Sequence, residues 1–445
     1  MTRMRLGQIV VLVVGIVVLV FVVSFAGQYV RRGGKASTPK GAEAARLTFP
    51  VTNAGKKSPL DLEEKSIEWE WQAEGHYNFW FTNDTAGPLK VGVARKGCTC
   101  SSVLVCLAPD GVKELSEEER AKRAEESGLP WEALENDHQS VTVPPGAGGW
   151  VRLGWKGKEP GSKRMTALMW FGDPDSGNTQ QLEVPVNLVH PVRVFAGEQP
   201  GQVEASVDKL NAGDQATVTF IVWSSTRPKF ALKPAPLRED PCLSYGKPEP
   251  LTSEELEKKS QEFKTPVLCG YKATVTLREQ ADDEHRLDLG PFRRRITWAT
   301  DVADEPATGF ITGQVVSEEV SVDTGAERNR PPIVELNVSR GLQGLAKFTV
   351  ESRVPDVELR PDETRTADFL KVEVGPPEDG AVRQWRVTAS FRPESGFRGP
   401  FPDRERPGYE STAIYLNLYR KGESSKTAAK PWRRIRVPVM GFVPS

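Results

Sequence analysis

Residues 67–81 read IEWEWQAEGHYNFWF, and this stretch decides the fold. In IEWEWQ, Ile67, Trp69 and Trp71 share one parity and Glu68 and Glu70 the other. In YNFWF, Tyr77, Phe79 and Phe81 line up the same way. A β-strand sends successive side chains to opposite faces, so period-two alternation marks half-buried strands. The pattern recurs in Val151, Leu153 and Trp155, in Leu182, Val184, Val186 and Leu188, and in Val218, Phe220 and Val222. It returns in Trp385, Val387, Ala389 and Phe391, and in Ile414, Leu416 and Leu418. Turn residues separate the runs: Asn83-Asp84, Pro144-Pro145-Gly146 and DPDSGN at 173–178. Many short strands with such turns predict an all-β chain of antiparallel sandwiches.

The pattern is written three times. Residues 79–91 read FWFTNDTAGPLKV, 220–234 FIVWSSTRPKFALKP and 348–361 FTVESRVPDVELRP. Each is an alternating strand, a polar turn, a proline and a second alternating strand. The units also end alike, in LEVPV at 182–186, GFITGQVV at 309–316 and IRVPV at 435–439. At about 150 residues per domain, 445 residues give about three domains. The expected units are 47–192, 193–334 and 335–445. Two carry helical insertions, at about 112–137 and 252–264. Ser116 with Glu119, and Thr252 with Glu255, form capping boxes that satisfy free N–H groups at each helix start. Both helices are highly charged and read as solvated decorations at one end of a sandwich.

Ahead of the body, Ile9 to Ala26 reads IVVLVVGIVVLVFVVSFA without a charge. With Leu6 and Gly7 it reaches the roughly 20 residues that span a membrane. The predicted transmembrane helix is 6–27. Its length favours an uncleaved signal anchor, and cleavage after Ser24-Phe25-Ala26 is the competing reading. Residues 28–46, rich in Gly, Ala and polar groups, read as a linker. Arg31, Arg32 and Lys35 outnumber Arg3 and Arg5, a bias toward a cytoplasmic body, yet long domains translocate despite such flanks. The expected location is a single-pass membrane protein with its body extracytoplasmic, periplasmic or at the cell surface.

Composition narrows the function. There are 59 Lys+Arg against 60 Asp+Glu, a net charge of −1, so no basic footprint for nucleic acid exists. His76, His138, His190 and His285 are the only histidines, too scattered for a multi-histidine metal centre. DPDSGN lacks a bidentate glutamate twelve positions into the loop, where Val184 stands, and reads as a hairpin turn. PPGAGGW at 144–150 precedes a strand and lacks the following Lys-Ser/Thr of a phosphate loop. No G-x-S-x-G or H-E-x-x-H occurs.

Cys98-Thr99-Cys100 is the most chemical-looking feature, as a soft-metal thiolate pair or redox dithiol. Residues i and i+2 of a strand share a face, about 6–7 Å apart. Cys106 shares their parity and joins them only if the chain turns back. The bland reading is a structural motif in a sheet corner. Cys242 and Cys269 bracket the second insertion and are a disulfide candidate. Seven of 11 tryptophans fall in the first unit. Alternation assigns Trp69, Trp71 and Trp155 to the core and leaves Trp80 and Trp150 as exposure candidates.

The stretch FWFTNDTAGPLKVGVARKGCTCSSV, residues 79–103, resembles an exported bacterial Ig-like family of unknown function. That family is similar to major-sperm-protein-like and ASH-type sandwiches. Its signature is an F-x-F-x-N strand, a glycine-leucine turn and a Cys-Gly-Cys-Thr motif. Phe79, Phe81, Asn83, Gly87, Leu89, Cys98 and Cys100 sit in the matching places, while Thr99 and Ser101 depart from it. The match covers about 25 residues of the first unit. The resemblance implies a seven-stranded Ig-like sandwich and export, and no activity. The expected fold is thus three tandem Ig-like β-sandwich domains with short helical insertions, after one N-terminal transmembrane helix. The expected function is a non-enzymatic interaction or scaffold protein with no cofactor, recognising a protein or envelope component. The alternative is metal binding or thiol redox at Cys98 and Cys100.

Overall fold

The computed structural model describes residues 45–56, 64–97, 102–136, 138–197, 201–236, 239–325, 332–338, 344–378, 380, 382–401, 412–420 and 430–444. The expected membrane span, most of the linker and the Cys98/Cys100 pair lie outside them. The chain forms two compact units. The first comprises residues up to Lys65, Glu74–Trp155 and Arg164–Pro185; the second comprises Ser66–Ala73, Lys156–Lys163 and Val186 onward.

The alternation seen in the sequence becomes strand after strand. From the start of the chain run β1 (Ile67–Glu70), β2 (Glu74–Thr82), β3 (Leu89–Lys96), β4 (Ser102–Leu107), β5 (Glu132–Ala133), β6 (Ser140–Val143), β7 (Gly148–Lys156), β8 (Gly161–Phe171) and β9 (Thr179–Val189). In the first unit one sheet has the order β9-β8-β3-β6 and the other β2-β7-β4-β5. Their inward parity supplies a core of Phe79, Phe81, Val91, Val105, Leu153, Met169, Phe171 and Leu182, each at most 1% exposed. Burying an aromatic or aliphatic side chain of this size stabilises by about 1.5–3 kcal/mol.

Asn83, the polar member of the F-x-F-x-N stretch, is fully buried. Its Nδ2 donates to the carbonyls of Gly87 (3.0 Å), Val143 (2.9 Å) and Pro144 (3.1 Å). Its Oδ1 accepts from Thr85 N at 3.1 Å and Thr85 Oγ1 at 2.6 Å. One amide therefore clasps its own turn to the turn after β6, and its role is structural.

The second unit continues with β10 (Arg193–Phe195), β11 (Glu204–Leu210), β12 (Gln215–Ser224), β13 (Leu232–Pro234), β14 (Leu243–Tyr245), β15 (Glu249–Pro250), β16 (Cys269–Arg278), β17 (Gly290–Thr300) and β18 (Ala307–Val315). It ends with β19 (Val320–Asp323), β20 (Val334–Asn337), β21 (Leu345–Ser352), β22 (Val357–Pro361), β23 (Leu370–Val374), β24 (Arg383–Phe391), β25 (Gly399–Pro400), β26 (Ala413–Arg420) and β27 (Arg433–Val443). Its sheets run β10-β12-β16-β14, β11-β18-β17-β13, β19-β21-β24-β23 and β20-β27-β26-β22. A leading strand lies parallel to a terminal strand three times: β1 on the last residues of β9, β11 on β18 and β20 on β27. The terminal strands hold LEVPV, GFITGQVV and IRVPV, so the three similar endings occupy one topological place.

Each helical insertion builds a small core of its own. The first helix, α1 (Glu117–Ala124), starts at Ser116 with both capping-box bonds to Glu119 present. It helps enclose Cys106, Val112, Ala124 and Trp150, with Trp80, Leu129 and Trp131 packed alongside. The second helix, α2 (Ser253–Phe263), has the same capping box between Thr252 and Glu255. Its Leu256 and Phe263 pack on Phe195, Ile221, Trp223, Leu251 and Val267. The helices are charged on their outer sides, but they are not mere solvated decorations. Trp150 is consequently 1% exposed, which corrects the expectation of an exposed residue. Trp80 is only half-buried.

Within the second unit one apolar core runs from Val192 to Val443. Where the segment before β17 meets β27, Leu289 and Ile435 form a parallel bridge. Leu289 N donates to Arg434 O at 2.9 Å, and Arg436 N to Leu289 O at 2.8 Å. Gly290 takes a φ of +112°, and a Cβ there would stand 2.1 Å from Arg436 O. Beside it Glu279, fully buried, accepts from Arg286 Nε (2.7 Å), Arg433 Nη2 (2.6 Å) and Gly213 N (3.0 Å). Burial pushes the Glu279 carboxyl up, but bonding to Arg286, Gly213 and Arg433 outweighs it and leaves it below the ordinary value. Burial lowers the Arg433 guanidinium from its usual range.

Removing one partner of a buried ion pair strands the other charge, at a cost of about 3–5 kcal/mol. We expect Glu279→Ala to lower unfolding stability by that amount. Glu118→Ala, which breaks an exposed i,i+4 pair with Lys122, should change it by less than about 0.5 kcal/mol. Urea denaturation checks both. Because the Glu279 value is depressed, its contribution is complete above the ordinary glutamate value and is lost as pH falls through the lowered one. In the same assay Asn83→Ala should cost about 2–3 kcal/mol, by leaving three carbonyls without their donor.

Candidate binding groove and the predicted site residues

An open groove of about 1050 Å³ lies in the second unit. Three stretches far apart in sequence line it: 70–73, 190–194 and 300–308, with Gly201, Val203 and Arg227 completing it.

The first wall follows from the alternation of IEWEWQ. Glu68 and Glu70 share the face of β1 opposite Ile67 and Trp69, and both carboxylates are gripped. Arg193 Nη2 donates to Glu68 Oε2 at 2.9 Å and also to Ser225 Oγ. The Arg193 guanidinium lies 4.0 Å over the Trp223 ring. Arg227 forms a fork on Glu70, Nε to Oε1 at 2.6 Å and Nη2 to Oε2 at 2.5 Å. Thr226 Oγ1 adds a third donor to Glu70 at 2.7 Å. The hydrogen bond to Glu70 holds the Arg227 guanidinium above its usual range. Ser224 Oγ, fully buried, accepts from the backbone of Thr226 and Arg227 and so fixes that turn.

Past β1 the chain turns at Gln72, whose φ is +67° and whose N–H donates to Gly157 O at 3.1 Å. Trp71 N donates to Val189 O, and the Trp71 and His190 rings meet edge-on, centroids 5.3 Å apart. Residues 300–308, the end of β17, the loop after it and the start of β18, also line the groove and expose Asp301, Asp304, Glu305 and Pro306. Asp301 Oδ1 accepts from Ala231 N at 2.7 Å. Chemically the groove offers a half-buried aromatic, a histidine and an acidic rim; its two arginines are already engaged.

Of the predicted cysteines, Cys98 and Cys100 lie outside the described residues. Cys106 lies in β4, Ser102–Leu107. Cys106 is buried, its Sγ lies 3.4 Å from Leu107 O, and burial raises its thiol. The Cys242–Cys269 disulfide is corrected: both are free thiols. Cys242 O accepts from Arg278 N at 2.8 Å, at the far end of β16 from Cys269. Nine residues of strand separate those ends by roughly 30 Å, far beyond the ~7 Å limit for a bridge. Burial raises both thiols.

The remaining histidines are structural neighbours. His76 Nε2 lies 2.9 Å from Glu125, and His285 Nδ1 lies 2.9 Å from Asp282. DPDSGN forms a turn as expected, with Asp173 accepting from Asp175 N and Gly177 left-handed. The signature residues Phe79, Phe81, Asn83 and Leu89 are buried. The groove itself was missed by sequence reasoning, because no local pattern joins Trp71, His190 and Asp304.

No family model matches the chain, and no curated protein matches it. Among solved structures it is similar to the ASH / PapD-like domain of human CEP192, at 6% identity over 35% of this chain and 95% of that one, TM-score 0.20. It is also similar to the C-terminal domain of the Streptococcus pyogenes antigen I/II-family protein AspA, at 14% identity over 61% and 100%, TM-score 0.24. A protein of unknown function from Porphyromonas gingivalis W83 matches at 12% identity over 61% and 96%, TM-score 0.17. Likenesses of this size carry neither mechanism nor partner to the chain.

Mass spectrometry of the non-reduced, denatured chain after alkylation checks the thiol assignment. Cys106, Cys242 and Cys269 should each carry a label, localised by fragmentation. A linked 242–269 peptide would contradict it.

Proposed function

We propose that the chain is a membrane-anchored, non-enzymatic interaction or scaffold protein whose body lies outside the cytoplasm. In this reading the three recurrences of one strand plan are three tandem Ig-like domains, at 47–192, 193–334 and 335–445. The charge-free run Ile9–Ala26 anchors them, and the partner is a protein or envelope component. The observation that carries the proposal is the groove. Its arginines are paired with the carboxylates of β1, and what else it offers is a half-buried tryptophan and an acidic rim. Such a surface suits recognition.

Capture of envelope components on the full-length chain in detergent tests the proposal. A reproducible partner, lost when Trp71→Ala and Asp304→Lys are combined, supports it; no partner above a bare-resin control opposes it. Protease added to intact cells tests the topology. The body should be cut before lysis, and protection until lysis would overturn the extracytoplasmic assignment. The C-x-C spacing, which would put both thiols on one face of an extended segment, supports a second reading of metal or thiol chemistry at Cys98 and Cys100. Metal content of the full chain should fall on Cys98→Ser with Cys100→Ser if that reading holds, and equal content removes it.

A further inference from the structure

Building on that interaction reading, we propose that the groove receives a cationic segment of a partner polypeptide, one presenting arginine or lysine side chains.

Charge is the first argument. Arg193 and Arg227 are the cations lining the groove, and each is tied to a β1 carboxylate, Glu68 or Glu70. The 300–308 stretch carries Asp301, Asp304 and Glu305, and no described cation pairs with any of them. The chain as a whole has a net charge of only −1, so this excess is local. A cation entering the groove meets an attractive rim and no competing positive charge. An anion meets the acidic rim, and the charges of the two arginines are already balanced by Glu68 and Glu70.

The second argument is that Trp71 adds an aromatic surface to the groove lining. Trp71 is half-buried, its ring in a T-shaped contact with His190, centroids 5.3 Å apart. Guanidinium and ammonium groups stack on indole faces, and the same chain shows the contact internally, Arg193 over Trp223 at 4.0 Å. A neutral saccharide could stack there too, but it gives the acidic rim nothing in return for losing water. The third argument is size. A volume of about 1050 Å³ admits several residues of a peptide with side chains.

The test uses the full chain in detergent and three fluorescent probes: hexa-arginine, hexa-glutamate and a neutral glucose hexasaccharide. Fluorescence anisotropy should show binding of hexa-arginine alone. Its affinity should fall about tenfold or more in Asp304→Lys with Glu305→Lys, and fall again with rising salt. Both residues are exposed and outside every ion pair described, so the thermal midpoint of this variant should match the parent. Trp71→Phe should keep most of the binding and Trp71→Ala should lose it. Unchanged hexa-arginine affinity in the charge-reversed variant overturns the proposal, as does preferential binding of hexa-glutamate or the saccharide. Envelope capture reads the broader proposal separately: a partner retained by the charge-reversed variant leaves the interaction reading standing and overturns this one.

Discussion

Two carboxylates on one face of a four-residue strand hold the groove together. Glu68 and Glu70 are two positions apart, so the pleat of β1 sends both to the side opposite Ile67 and Trp69. Arg193 meets the first and Arg227 forks onto the second. A strand this short has little backbone pairing of its own, only the parallel register from Ile67↔Val186 to Glu70↔Val189. The paired charges add direction to that register, since a bidentate guanidinium fixes geometry as well as attraction. Once β1 is held, Trp71 is presented beside His190 and the groove has its first wall. The arrangement also decides the chemistry left over: the groove cations are paired with carboxylates, and Asp304 and Glu305 of the 301–306 loop are in no described ion pair.

The rest of the second unit is fixed by a second buried charge arrangement. Glu279 between Arg286 and Arg433 is a carboxylate removed from water, tolerable because three donors reach it. The Leu289 bridge and the glycine at 290 bring two backbones within van der Waals contact at the same place. With an apolar core continuous from Val192 to Val443, these contacts make the unit one body, although its strand plan repeats.

The sequence pattern foretold the local structure well and the tertiary consequences poorly. Alternation marked the strands, capping boxes marked both helices, and the endings LEVPV, GFITGQVV and IRVPV marked three equivalent terminal strands. The parity of IEWEWQ was legible, but Trp69 and Trp71, expected in the core, are only half-buried, and the arginines that meet Glu68 and Glu70 lie more than 120 residues away. The disulfide expectation failed because spacing in sequence says nothing of distance along a strand. Parity also misjudged Trp150, since it tells the two faces of a sheet apart but does not say that an insertion covers the outer one. The Asn83 clasp shows why the F-x-F-x-N stretch ends in an amide: a buried turn needs both a donor and an acceptor, and asparagine carries both.

Hydrogen exchange of the full-length chain, measured with and without saturating hexa-arginine, tests the central claim most directly. The account predicts slowed exchange in 70–73, 190–194 and 300–308 together, with little change elsewhere. Protection confined to the two helical insertions or to strands of the first unit, with those three stretches unchanged, would contradict it.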